Sequence, residues 1–193
     1  MFQETIKSTT NVDHKNAEKH SYGREIMEKT LTLRQYTELV VANYMYISSW
    51  EKEWQDSLVN VEALNLNKRA KISLLLLDLK ELGIDPATIS CVALAPALTK
   101  AQFYGRMYVI EGSTLGGAMI SKQLQLNPNL TGLGFHFYKG YGPLLMPNWK
   151  EFLAELNTLE TKEEQDEAIA WAKQAFNDME NCFINAKAMS LHS

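Results

Sequence analysis

Hydrophobic residues recur every three or four positions along most of this chain, with polar residues between them, and strict apolar–polar alternation is rare. Spacings of three and four place residues on one face of an α-helix, whereas alternation is typical of a half-buried strand. The five prolines all lie between residues 86 and 147, so the segments before and after them are almost free of helix-breaking residues. The pattern therefore predicts an all-α fold.

Start and stop signals divide this pattern into helices. Thr32 with Gln35, and Thr161 with Glu164, have the spacing of capping boxes. Gly83, with a proline three residues on, is typical of a helix end. We expect helices over residues 4–20, 33–57, 67–82, 100 to before 128 with Thr99 as cap, 148–159 and 162–188. Residues 130–147, rich in glycine and aromatic side chains, are expected to form a loop-rich connection with at most a short helix.

Three glycines interrupt the apolar segment 106–124: Gly112, Gly116 and Gly117. Each glycine in a helix interior costs about 1 kcal/mol against alanine, so stability does not explain them. Gly112 and Gly116 are four residues apart and share a helix face, where the missing Cβ atoms allow a partner to approach the backbone and the helix to bend. The pattern leaves three partners open: another helix, a phosphate group or a planar cofactor.

Composition excludes several classes of protein. A chain of 193 residues predicts one domain over 1–193, with a disordered tail in the last few residues. A net charge of −4 and no basic face give no reason to expect nucleic acid. No apolar run approaches the ~20 residues of a membrane span, no signal peptide is visible, and the two cysteines form no CxxC pair. We expect a cytoplasmic protein that binds neither membrane nor nucleic acid, and a monomer by default.

His14 is the best candidate for metal chemistry, because its neighbours on the first predicted helix fit such a role. Glu18, one turn later, could accept a hydrogen bond from the imidazole, as acceptors beside metal-bound histidines do. Lys7 lies two turns earlier, about 10 Å away at 1.5 Å per residue, where it could meet an anionic group at the edge of a large ligand. In the alternative interpretation, Lys7, His14 and Glu18 are all solvated surface residues.

A dedicated non-heme metal centre is disfavoured. Zinc and di-iron sites need three or more clustered ligands, and the chain contains neither HExxH nor ExxH. One histidine facing a glycine-containing helix fits heme better, since heme brings four equatorial ligands and needs only an axial imidazole. A phosphate-binding turn at GSTLGG is also disfavoured, because it lacks a lysine directly after the glycines and a G-x-G spacing.

Four segments, in chain order, carry a family resemblance. KSTTNVDHKNAE (7–18) is similar to the proximal region, LTLRQYTELVVANYMYISSWE (31–51) to the second helix, and MYVIEGSTLGGAMI (107–120) to the distal helix of the biliverdin-producing heme oxygenases. GFHFYKGYGPLLMPNWKEFLAEL (134–156) follows the pattern of the bacterial branch that includes the bacteriophytochrome-associated enzymes. The resemblance implies a single-domain heme-oxygenase-like fold, with heme sandwiched between a proximal helix and a glycine-bent distal helix.

The resemblance also implies roles for individual residues. His14 would be the iron ligand, oriented by Glu18, and Lys7 would pair with a heme propionate. The glycines at 112, 116 and 117 would let the distal helix lie close over the heme and leave room for dioxygen. Ser113 stands where the animal enzymes have an aspartate that anchors a proton-delivering water network, so the relay here would use other groups.

Further candidate residues would lie at the edge and along the sides of the implied heme pocket. Leu153 stands near the position of an arginine that can hold the second propionate, and Lys150 is the nearest cation. Tyr108 and Phe176 are candidates for the pocket lining. A second possibility for Gly112 and Gly116 is tight packing of two helices, for which a GxxxG spacing is common.

The implied reaction is oxidative cleavage of heme by dioxygen and externally supplied electrons, giving biliverdin, carbon monoxide and ferrous iron. The implied partners are an electron-donor protein of ferredoxin or reductase type and a biliverdin acceptor such as a phytochrome. Two alternatives keep the fold: a non-catalytic heme-binding or heme-sequestering protein, and the thiamine-degrading or cofactor-processing enzymes that share this architecture.

Overall fold

The computed structural model describes residues 1–57, 59, 61 and 64–189, so the tail predicted at the C-terminus lies outside the described residues. The described residues form helices and no strand, which confirms the all-α prediction. The α-helices are α1 (Phe2–Thr9), α2 (Asn11–Glu18), α3 (Gly23–Glu28), α4 (Leu33–Asp56), α5 (Ile72–Glu81), α6 (Lys100–Gln125), α7 (His136–Lys139), α8 (Leu145–Leu156) and α9 (Lys162–Ala188). Short 3-10 turns cover Leu66–Arg69, Pro86–Thr88, Pro128–Leu130 and Gly142–Leu144.

The predicted caps set the ends of the longest helices. Both reciprocal hydrogen bonds of the capping box form at Thr32 before α4 and at Thr161 before α9. The hydroxyl of Thr99 accepts a hydrogen bond from the backbone N–H of Gln102 at the start of α6. α5 ends just before Gly83, whose φ of +69° is the left-handed conformation that glycine adopts without strain. These local signals therefore predicted the boundaries correctly.

Several predicted boundaries were wrong. The helix expected over 67–82 begins only at Ile72, because Leu66–Arg69 forms a 3-10 turn and Ala70, with ψ of 134°, leaves the helical region. The helix expected over 148–159 ends at Leu156.

The helix expected over 4–20 breaks at Thr10, whose backbone leaves the helical region with ψ of 4° and whose hydroxyl donates to the Ile6 carbonyl oxygen at 2.8 Å. Such a bond back along the helix competes with the regular backbone ladder. α8 begins at Leu145, three residues before the predicted start, because Pro147 falls in its first turn, where its missing N–H is tolerated.

The core forms where α4, α6 and α9 pack together. A Cβ placed on Gly105 of α6 would lie only 2.2 Å from the carbonyl oxygen of Ala168 on α9. Ala168, Ala172 and Ala175 are all fully buried, so small residues on both helices permit this close crossing. α1 and α2 pack against the later part of the chain, chiefly α9, and thereby reach the same side of the molecule as α6.

No helix of the described residues combines the length and the apolar character needed to cross a lipid bilayer.

Candidate active site

A cavity of about 570 Å³ lies between the N-terminal helices and α6, with α9 along one side. This volume is within the range of small-molecule and cofactor pockets. Nine of the ten site residues predicted from the sequence line it: Lys7, His14, Glu18, Tyr108, Gly112, Ser113, Gly116, Gly117 and Phe176. The tenth, Lys150, is exposed and does not line the cavity. The fold thus brings together residues that lie more than 160 positions apart in the chain.

His14 presents an imidazole at the wall formed by α2. Its Nδ1 lies 3.4 Å from Oε2 of Glu18, which is long for a hydrogen bond, so the carboxylate stands beside the ring without a tight contact. The edge of the Phe176 ring meets the imidazole with centroids 5.5 Å apart and planes at 88°. The side chain of His14 is 52% exposed, as expected for a group that borders a solvent-connected cavity. Since Nδ1 faces Glu18, Nε2 is the nitrogen left for a ligand.

His20, the other histidine of the first predicted helix, is placed differently. Its Nε2 lies 3.2 Å from Oε1 of Glu180 on α9, and the residue does not line the cavity. Of the two histidines, the cavity therefore selects His14.

The glycines of α6 do not share one role. A Cβ on Gly116 would meet no atom within 4 Å, and one on Gly112 would only touch the Trp149 ring at 3.9 Å. A Cβ on Gly117 would lie 3.3 Å from the carbonyl oxygen of Tyr138, so this glycine lets the backbone of α7 approach α6. Tight helix packing is thus wrong as an explanation for Gly112 and Gly116. These two residues form a bare face of α6 toward the cavity, which we call the glycine face.

Ser113 lies beside the glycine face and is exposed. Its hydroxyl donates to the carbonyl oxygen of Ile110 at 2.7 Å, so its proton is committed to the helix backbone. The oxygen of Ser113 can still accept a hydrogen bond from water or ligand.

The inner end of the cavity is more polar than the sequence predicted. Asn43 and Lys71 line it, both buried, and the Asn43 amide lies 3.4 Å from the Tyr138 hydroxyl. Lys71 belongs to a buried ionic cluster with Glu111, the residue before Gly112, so a charged site backs the glycine face. Desolvation lowers the pKa of Lys71, and the neighbouring Glu111 carboxylate opposes that shift. In the sequence, the one signal for this cluster is the charge of Glu111 in the interior of the apolar segment 106–124.

Among the described residues, the wall of the cavity carries one exposed cation, near the opening. Lys7 on α1 lines the cavity and forms no ion pair within the described part of the chain. On α8, the cavity-lining side chains are Trp149 and Leu153, while Lys150 points to another side. The expected second propionate partner at Lys150 is therefore not at the cavity wall.

A hydrogen-bonded anchor holds α7 against α5. Both carboxylate oxygens of Asp78 accept backbone N–H groups, from His136 and Phe137, each at 2.8 Å. Glu81 accepts the Gly134 N–H at 2.6 Å and lies 3.0 Å from Nε2 of His136. Burial raises the pKa of Asp78, whereas the Gly134 N–H lowers that of Glu81. The side chains of Asp78, Glu81 and His136 lie close enough together to hold a metal ion. Their hydrogen bonds already account for the arrangement, which positions Phe137 and Tyr138 on the cavity wall.

The residues that line the cavity fit a large, flat ligand that contains iron. One wall offers an imidazole with an uncommitted nitrogen, and the glycine face meets nothing where its Cβ atoms would be. Aromatic side chains at Phe176, Tyr108 and Trp149 provide apolar surface between them. Heme requires one axial imidazole, apolar walls and cations for its two carboxylates, and Lys7 supplies one such cation.

Comparisons with known proteins agree with this fit. A family model described as heme oxygenase matches residues 1–184. A protein named heme oxygenase from Xanthomonas campestris pv. campestris (strain 8004) is 26% identical over 148 residues, which cover 76% of this chain and 87% of that protein.

Two solved structures share the fold. The heme oxygenase structure from Leptospira interrogans superposes with a TM-score of 0.77 at 18% identity, covering 95% of this chain and 98% of its own. The NO- and CO-bound heme oxygenase from Neisseria meningitidis gives a TM-score of 0.71 at 20% identity, covering 100% and 95%.

Proposed function

The chain belongs to the heme oxygenase family and is an enzyme that degrades heme, and we propose that it does so in the cavity between α2 and α6. When bound, heme supplies both the iron that activates dioxygen and the ring that is opened, giving biliverdin, carbon monoxide and ferrous iron. The observation that carries the assignment to this cavity is that His14 and the glycine face border one and the same space.

His14 would hold the iron through Nε2. Glu18 stands 3.4 Å from Nδ1, where a carboxylate favours a proton on Nδ1 and leaves Nε2 as the lone-pair donor. Phe176 packs edge-on against the ring and limits its rotation. Glu18 would therefore favour one tautomer of the imidazole, and Phe176 one orientation.

The glycine face would set the space above the iron. Among the described residues that line the cavity there is no second histidine and no arginine. Such groups, placed over the iron, favour cleavage of a bound oxygen–oxygen bond, whereas small residues leave room for attack on the ring edge. The bare face at Gly112 and Gly116 therefore favours a ring-opening oxygenase over a peroxidase.

Lys7 would bind one heme carboxylate at the rim, because it is the exposed cation of the cavity wall. This pairing would fix the rotation of the heme in its plane and thereby which edge of the ring faces the inner end. The role expected for Lys150 stays a prediction, and its position away from the wall gives it no support.

Electrons would come from an external ferredoxin or reductase-type donor. We further propose a cytoplasmic location, a monomeric state and transfer of biliverdin to an acceptor such as a phytochrome. The electron donor and the acceptor rest on the family resemblance of the sequence, whereas the location and the monomeric state are the expectations drawn from its composition.

The direct test is to add hemin to the purified protein, followed by a chemical reductant in air. We expect a Soret band that saturates at one heme per chain, then its loss with the appearance of biliverdin absorption and release of carbon monoxide. A Soret band that survives repeated reduction would instead identify a heme-sequestering protein, and the absence of any Soret band would exclude both functions.

A further inference from the structure

A buried carboxylate lies next to the glycine face along α6. Glu111 is 1% exposed and precedes Gly112 in α6. Three donors converge on it: Nη1 of Arg69 at 2.7 Å, Nζ of Lys71 at 3.0 Å and the hydroxyl of Tyr141 at 2.6 Å. These donors come from the turn at Leu66–Arg69, the residue before α5 and the segment after α7. One side chain of α6 thus gathers three separate segments of the chain.

The donor groups of Lys71 in this cluster all have acceptors. The ammonium group of Lys71 has three protons, and its three acceptors are the Arg69 carbonyl oxygen, Glu111 and Tyr141. The guanidinium of Arg69 also donates to the Leu64 and Asn148 carbonyl oxygens. Although Lys71 lines the cavity, no proton of its ammonium is left for a ligand there. The cluster is therefore built to hold position and not to deliver protons.

Other elements restrain α6 elsewhere. The Gly105–Ala168 crossing fixes its first half against α9, and α7 contacts it at Gly117. Between these two contacts, at the level of Gly112, the side chain of Glu111 attaches α6 to Arg69 and Tyr141. Its charges are buried. Loss of the Glu111 carboxylate would leave Lys71 without its carboxylate partner and Arg69 with Glu151 alone, at 2.5 Å, and would weaken the contact between the segments.

We propose that Glu111 is a positioning residue, and that its cluster sets how closely the glycine face approaches the heme and hence how large a ligand fits on the iron. The proposal rests on the proposed function, because it needs heme in the cavity.

The test measures ligand size selectivity in the ferrous heme complex. The probes are carbon monoxide and a series of n-alkyl isocyanides of increasing length, titrated optically into the wild type and into Glu111→Gln. The amide keeps the shape of the carboxylate but removes the charge and turns one acceptor into a donor facing Lys71 or Arg69. We expect a retained Soret band and a rise of roughly tenfold in the affinity for the longest isocyanide relative to carbon monoxide.

A matched control removes the carboxylate from another buried ion pair of α6, whose acidic partner lies on α4. Arg106 of α6 is 1% exposed and pairs with Glu53 at 3.4 Å, and neither residue lines the cavity. Glu53→Gln should lower the melting temperature, as Glu111→Gln should, but leave the isocyanide-to-carbon monoxide ratio at the wild-type value. A purely stabilising role of Glu111 would make both variants behave alike.

Tyr141→Phe provides a milder variant if Glu111→Gln does not fold. It removes one hydrogen bond to Glu111 from a residue outside the cavity lining and should shift the ratio in the same direction by a smaller factor. Wild-type selectivity in the folded Glu111 and Tyr141 variants, or an equal shift in Glu53→Gln, would overturn the proposal while leaving the heme oxygenase function intact. Failure of the wild type to bind heme would overturn both.

Discussion

Gly116→Ala and Gly105→Ala make the same chemical change at two places in one helix, and the structure predicts opposite effects on stability. At Gly116 a new Cβ meets no atom within 4 Å. Alanine in a helix interior is favoured over glycine by about 1 kcal/mol, so the apoprotein should gain roughly that much. For a domain of this size, such a gain corresponds to a rise in melting temperature of about 2–4 °C.

At Gly105 the same methyl group would lie 2.2 Å from the Ala168 carbonyl oxygen, well inside van der Waals contact. The two longest helices of the core, α6 and α9, would have to separate. Overpacking of this kind costs about 1–3 kcal/mol, and here the obstacle is backbone that cannot rotate away. We expect Gly105→Ala to lower the melting temperature despite its better helix propensity.

The assay is thermal unfolding of both apoproteins by circular dichroism, followed by hemin titration. Gly116→Leu extends the comparison, since its side chain would enter the space above the iron: heme binding should be largely retained and biliverdin formation lost. If Gly116→Ala destabilised the apoprotein as much as Gly105→Ala does, the glycine face would be a packing surface and its assignment to the cavity would be wrong.

Two further predictions concern charged groups. The Gly134 N–H lowers the pKa of Glu81 below its ordinary value of 4.5, so the ionised anchor stabilises the fold above pH 4.5 and loses this contribution as the pH falls through the lowered value. The difference in unfolding free energy between wild type and Glu81→Gln should therefore shrink below pH 4.5 in denaturant titrations, and a difference independent of pH would contradict the anchor. Lys7→Ala should weaken heme binding by up to about fivefold, because an exposed ion pair is worth at most about 1 kcal/mol, and should change the ratio of biliverdin isomers on chromatography. An unchanged isomer ratio would remove Lys7 from the rim site.

Local signals predicted the helix ends, because a cap depends on residues only a few positions apart. Thr32 with Gln35 and Thr161 with Glu164 both form the expected capping boxes. The break at Thr10 was missed because the helical spacing of apolar residues continues through it. The sequence does not show that the Thr10 hydroxyl bonds to the carbonyl oxygen of Ile6.

The candidate site was predictable where residue type alone limits the chemistry, as for a lone histidine and a pair of glycines four residues apart. The charged cluster was not, because Arg69 and Glu111 are 42 positions apart and meet only in the folded chain. The structure gives the prediction for Lys150 no support, for a geometric reason. The cavity-facing side of α8 is defined by Trp149 and Leu153, and Lys150 lies about 100° around the helix from Trp149.

If His14 is the protein ligand of the iron, its removal must change the heme spectrum, which makes His14→Ala the decisive variant. His20→Ala is the matched control, since His20 lies six residues after His14 in the chain but faces Glu180 outside the cavity lining. We expect that His14→Ala loses the Soret band of imidazole-ligated heme and all turnover, that added imidazole restores the band, and that His20→Ala matches the wild type. An unchanged Soret band in His14→Ala would show that another group holds the iron.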